Sequence, residues 1–295
     1  MTVLGAVFRP QNPPELLREA ARVAEATGLE ELWLWEDCFL ESGIASAAAV
    51  LAWTERVRVG IGLLPVPLRN VALTAMEAAT LHRLFPDRLV LGVGHGVQSW
   101  MAQVGARVES PVTLLSEHLA ALRALLAGEQ VTVSGRYVRL DAVALDWPPA
   151  TPPKVYAGAR GPRSIRLSGE HADGTLLDSI ADADGVRAAR TLIEEGRAAS
   201  GRTDRHHVVA NLLAVTGSDA EARLAAERTP EHAPGAGVAG DAHAIAAAVT
   251  TLAEAGADTV VLQTTADDPD PAAYLRFVAE EVRPLVSWAP RARVT

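Results

Sequence analysis

Short apolar runs alternate with stretches of helical spacing along almost the whole chain. Residues 3–9 read as a first strand. Asn12-Pro13-Pro14-Glu15 is a helix start, with asparagine as N-cap and proline in the first turn, and Gly28 is a natural stop. A second strand is expected at Glu31-Leu32-Trp33-Leu34-Trp35-Glu36-Asp37, then an alanine-rich helix over residues 44–54. Residues 56–65 form a third strand, alternating at first and then apolar. Asn70 caps a helix reaching Leu84, which Pro86 ends. Leu89 to Val93 is an apolar run suited to a strand buried on both faces, and it passes directly into Gly94-His95-Gly96.

After Trp100 the rhythm breaks. Residues 101–153 predict an insertion with a helix over 111–127, stopped by Gly128, and a hairpin. The hairpin pairs residues 130–133 with 136–140 across a Ser134-Gly135 turn, and prolines 148, 149, 152 and 153 stiffen the exit. Strands then recur over 154–159, 173–180, 207–216 and 259–263. Helices follow over 161–171, 184–200, 219–227, 241–256 and 271–284. Strands separated by helices pair in parallel through right-handed crossovers. Eight such units in about 250–300 residues fit a closed (β/α)8 TIM barrel, with an open doubly wound sheet as the alternative. The expected organisation is one barrel domain over 1–289, the insertion within it, and a loose tail at 290–295.

Composition removes several function classes. A net charge of −9 with no Lys/Arg stripe argues against nucleic acid or an anionic membrane as partner. No apolar run is long enough for a membrane span, and the first residues read as a strand, not a signal peptide. A single cysteine, Cys38, excludes an internal disulfide and fits a reducing cytoplasm.

In a barrel the strand C-terminal ends carry the site. These ends are Glu36-Asp37-Cys38, Leu63-Leu64-Pro65, Gly94-His95-Gly96, residues 158–163, Ser179, residues 211–216 and Gln263. Gly92-Val93-Gly94-His95-Gly96-Val97 lacks dinucleotide spacing, since Val97 stands where the last glycine is required. Its glycines mean either a crowded strand end or a flat ligand close to the backbone. Gly158-Ala159-Arg160-Gly161-Pro162-Arg163-Ser164 runs from a strand into a helix start, where free N–H groups and an arginine attract phosphate. His95 is the only histidine at a predicted strand C-terminus and so the leading acid/base candidate. Glu36 or Asp37 offers a carboxylate to the same pocket, while Cys38 reads as a small buried hydrophobe. His82, His118, His171 and His243 fall within helices, and His206 and His207 at the opposite end of a strand. No metal-ligand spacing, nucleophile elbow or Walker loop is present.

The residues now in view resemble the bacterial-luciferase-like superfamily, in its actinobacterial branches that use the deazaflavin coenzyme F420 or sometimes FMN. The resemblance rests on residues 32–37, 60–70 and 91–100, the insertion hairpin, residues 158–174 and residues 253–258. It implies a (β/α)8 barrel, often dimeric, with a ring cofactor in the mouth and a non-proline cis peptide near Ile61-Gly62-Leu63. By position Glu36, Gly62, Leu63, Leu64, His95, Gly96 and Trp100 would face the ring. Gly158, Ala159, Gly161, Pro162 and Arg163 would hold its phosphate, and Asp37 or His95 would move a proton. F420-dependent sugar-phosphate dehydrogenases of this superfamily have a histidine where Asp37 stands and a glutamate where Val97 stands, which disfavours that substrate. The implied activity is hydride transfer between F420 and a small organic substrate. The alternatives are an FMN-dependent monooxygenase served by a separate reductase and a non-catalytic flavin or F420 binder.

Overall fold

The apolar runs pair into a closed parallel barrel in the computed structural model, which describes residues 2–286. The first half comprises β1 (Val3–Val7), α1 (Leu17–Thr27), β2 (Glu31–Leu34), α2 (Gly43–Trp53), β3 (Arg58–Pro65), α3 (Val71–Leu84), β4 (Leu89–Gly94) and α4 (Gln98–Gln103). The insertion holds α5 (Pro111–Leu126) and a hairpin of β5 (Val131–Ser134) and β6 (Arg139–Val143). The second half continues with β7 (Val155–Gly158), α6 (Pro162–His171), β8 (Gly174–Leu177), α7 (Ala183–Ser200), β9 (His207–Val215) and α8 (Ala220–Glu227). It ends with β10 (Val238–Ala239), α9 (Ala242–Ala255), β11 (Thr259–Gln263) and α10 (Pro271–Phe277), the last running on through two irregular turns to Leu285. The tail expected at 290–295 lies outside the described residues.

Strands β9, β11, β1, β2, β3, β4, β7 and β8 are neighbours in that order, and β8 pairs back onto β9. Closure leaves no unpaired edge in the ring. Outward-facing strand residues such as Leu4, Leu32, Val59, Ile61 and Leu91 pack under the helices as one continuous core. Inward residues Val7, Trp33, Val90, Tyr156, Leu176, Val209 and Val261 fill the barrel lumen as a second cluster. A packed lumen leaves the strand C-terminal mouth as the place for a ligand. No helix among the described residues is long and apolar enough to cross a membrane.

Three local expectations shift. The first α-helix begins at Leu17, after a tight turn at Pro14–Leu16, and the Asn12 side chain does not cap it but donates to the Arg9 carbonyl at 3.0 Å. The second hairpin strand starts at Arg139, not residue 136. The reason is Glu117 on α5, whose carboxylate accepts the backbone N–H groups of Arg136, Tyr137 and Val138 at 2.8–2.9 Å. Those donors are therefore lost to β-pairing. The short helix α4 had no clear signal in the sequence, and it carries Trp100 to the mouth.

Candidate active site

β2, β3, β4, β7, β8, β9 and β11 all send residues from their C-terminal ends into one cavity of about 570 Å³. Glu36, Asp37, Leu63, His95, Gly96, Gly158 and Ala159 line it, as the strand positions predict, and so do Gly62 and Trp100, which the family resemblance implies. Trp35 and Trp100 give it aromatic walls, and Asn211 and Gln263 add amides.

Leu64 does not face this cavity. Simple alternation from Val59 and Ile61 would turn Leu63 outward and Leu64 inward. The β3–β4 register shifts between Ile61 and Leu64, and this bulge reverses the two side chains. Leu63 packs toward the lumen and lines the cavity, whereas Leu64 is fully buried in the outer core. The peptide between Gly62 and Leu63 is cis, at the place the family resemblance indicates, and Cys38-Phe39 is cis as well.

Crowding accounts for two of the glycines at the end of β4. A Cβ on Gly92 would lie 2.6 Å from the Ile61 carbonyl oxygen, and one on Gly94 would lie 2.5 Å from the Leu63 side chain. Gly96 is crowded too, since a Cβ there would lie 2.8 Å from Pro65 Cβ, but it also lines the cavity with φ +65°, a conformation that favours glycine.

The two neighbouring carboxylates have separate tasks. Glu36 is tied into the scaffold, because Oε2 accepts from the Gly43 N–H and from Arg69 Nη2, both at 2.8 Å. Arg69 is shared with Glu77 at 2.7 Å. Sequence position alone gave no sign of Arg69, since the pairing joins the end of β2 to the loop after β3. Asp37 is in no ion pair among the described residues. Its Oδ2 accepts from Trp35 Nε1 at 2.9 Å. Burial raises its pKa from the ordinary aspartate value, against smaller opposing effects from Trp35, Gln11 and the Arg9 charge. A carboxyl group in a cavity whose pKa is raised by burial is a candidate for proton transfer.

His95 bonds through Nε2 to the Ser164 hydroxyl at 2.8 Å. Burial lowers its pKa, with the Pro111 backbone opposing, and Nδ1 is buried without a partner in hydrogen-bonding geometry. His95 is therefore neutral at pH 7 and linked to the first turn of α6. Gly161, Pro162 and Arg163 stand at that helix start, exposed beside the cavity and not lining it. The helix has no side-chain cap, and Arg163 forms no ion pair among the described residues. Uncapped N–H groups and an unpaired guanidinium are groups that attract an anion. Arg160 is committed elsewhere, to Asp178 and Glu231 at 2.6 Å each.

The remaining histidines stay out of the mouth. Burial takes His82 and His118 down to about 4, and the same holds for His206 and His207 on the opposite barrel face. His206 bonds to Thr175 and His207 to Thr259, at 2.8 and 2.9 Å.

The model of the luciferase-like monooxygenase family matches residues 3–282. The chain belongs to that family. Among curated members it is 32% identical over 176 residues to the 5,10-methylenetetrahydromethanopterin reductase of Methanolobus tindarius, covering 59% of this chain and 53% of that protein. It is 32% identical over 188 residues to the F420-dependent glucose-6-phosphate dehydrogenase of Nakamurella multipartita, covering 57% of this chain and 53% of that one. The chain thus spans about half the length of these curated relatives. The family fold extends throughout. The coenzyme F420-dependent tetrahydromethanopterin reductase of Methanopyrus kandleri superposes with a TM-score of 0.83 at 20% identity, over 97% of this chain and 99% of that one.

Proposed function

We propose that this protein is an oxidoreductase that transfers hydride between coenzyme F420 and a small organic substrate. The observation that carries the reading is an aromatic-walled cavity opening directly onto an uncapped helix start with an unpaired arginine. A flat heterocycle with a phosphate tail matches that combination, and the F420-dependent glucose-6-phosphate dehydrogenase among the chain's relatives points the same way. F420, when bound, supplies or accepts the hydride. Leu63, Gly96 and Trp100 would confine the ring, and Gly158, Ala159, Gly161, Pro162 and Arg163 would hold the phosphate at the start of α6. His95 braces that turn through Ser164, and Asp37 exchanges a proton with the substrate. The alternative cofactor is FMN, which would make the protein a monooxygenase dependent on a separate reductase.

Titration with F420 and with FMN, following cofactor fluorescence, decides between them. Saturable quenching of F420 with weaker FMN binding is expected. Tight FMN binding would transfer the reading to the monooxygenase, F420 binding with no turnover of any substrate would favour a binder, and binding of neither would end it.

The protein acts as a homodimer in this proposal. α2 carries no charged residue, and its neighbour α3 exposes Leu73, Met76 and Leu84 at 46%, 58% and 65%. Exposed apolar residues on these two helices are covered most simply by the same surface of a second copy. Light scattering should give the mass of two chains, and a monomer mass would refute it. A cytoplasmic location fits the single cysteine.

A further inference from the structure

We propose that the substrate side of the mouth selects cationic and uncharged molecules and rejects phosphates and carboxylates. This rests on the cofactor reading only for which part of the cavity the substrate occupies.

Three guanidinium groups stand around the cavity, and all three are already held by acids. Arg69 bridges Glu36 and Glu77, at 2.8 and 2.7 Å. Arg160 bridges Asp178 and Glu231, at 2.6 Å each. Arg9 pairs with Glu227 at 2.8 Å and donates to the Thr264 carbonyl at 2.7 Å, while its guanidinium carbon lies 5.8 Å from the Trp35 ring centroid. An anion claiming Arg9 or Arg69 would leave a partly buried carboxylate unpaired, which costs more than the new contact returns, while the charge of the more exposed Arg160 is offset by Asp178 and Glu231. It would also face Asp37 and Asp178 from the cavity lining.

A cation meets the reverse situation. Asp37 reaches the cavity with hydrogen bonds but no ion pair, and Trp35 offers an aromatic face beside it. Neutral heteroatoms are provided for too. The side chains of Asn211 and Gln263 line the same cavity and make no hydrogen bond among the described residues. Each offers one acceptor and one two-hydrogen donor. The unpaired Arg163 does not undo this selection, because it stands on the rim outside the cavity. The mouth thus separates an anion-attracting rim from an anion-excluding interior.

Three flat probes of nearly equal size test the proposal: benzamidine, benzamide and benzoate, titrated calorimetrically at neutral pH with and without F420. Benzamidine should bind about tenfold more tightly than benzamide, and benzamide about tenfold more tightly than benzoate. Asp37→Asn should bring benzamidine down to the affinity of benzamide. Glu231→Gln, an exposed change that leaves the fold alone, should loosen Arg160 and raise benzoate affinity several-fold. Benzoate binding as tightly as benzamidine, or no binding of any probe, would overturn the proposal. Loss of F420 binding with the probe order intact would instead count against the cofactor assignment alone.

Discussion

Replacing Trp33 by alanine should lower the stability of the barrel by about 3–5 kcal/mol and weaken cofactor binding on the other side of Gly62. Trp33 is 3% exposed and lies across the lumen directly under the mouth. Two strands leave room for its ring by carrying glycine, β1 at Gly5 and β3 at Gly60 and Gly62: a Cβ on these would lie 2.8, 2.3 or 3.1 Å from it. Gly62 belongs to the cavity wall, so the indole supports the site from below. Its Nε1 donates to Glu31 Oε2 at 2.8 Å, and Glu31, 2% exposed, also pairs with Arg58 at 3.0 Å. Truncation would open a large void and remove one of the partners of a buried carboxylate, two losses that act together. Urea denaturation measures the first effect and F420 titration the second. Trp33→Phe, which keeps most of the volume but not the donor, should fall between wild type and Trp33→Ala. A stability loss below about 1 kcal/mol for Trp33→Ala would show that the lumen collapses around the gap, against the usual cost of such voids.

Much of this architecture is legible in the sequence because the barrel is periodic. Apolar runs separated by capped helices fix the strand count, and strand C-termini select Glu36, Asp37, His95, Gly96 and Gly158 without knowledge of the ligand. What escapes depends on contacts between distant segments. The Leu63/Leu64 reversal follows from a register shift that no local pattern encodes. Arg69 matters through Glu36, thirty-three residues away. The hairpin start moves because Glu117 captures three backbone donors from another element. The glycines of β4 illustrate the ambiguity most directly. Crowding by Leu176, Ile61 and Leu63 explains Gly92 and Gly94, and of the three only Gly96, itself close to Pro65, lines the cavity.

Asp37→Asn should cut turnover by about 10²- to 10⁴-fold while leaving F420 affinity unchanged, the range expected when a positioned acid or base is removed. The side-chain oxygen of asparagine can still accept from Trp35 Nε1, so the pocket wall should hold its shape. The pH profile separates the two proton candidates. Burial raises the Asp37 pKa, so the protonated donor persists to higher pH than in an ordinary carboxyl group and is lost as pH rises through that raised value. Substrate reduction should therefore slow on the alkaline side in wild type, and Asp37→Asn should remove that limb. His95 is shifted the other way by burial and is already neutral at pH 7, which makes it a weak acid tied to Ser164. His95→Ala should loosen the start of α6 and raise the F420 dissociation constant, yet keep the alkaline limb. If the limb survives in Asp37→Asn and disappears in His95→Ala, the proton comes from the histidine, and the carboxyl group serves only to orient Trp35.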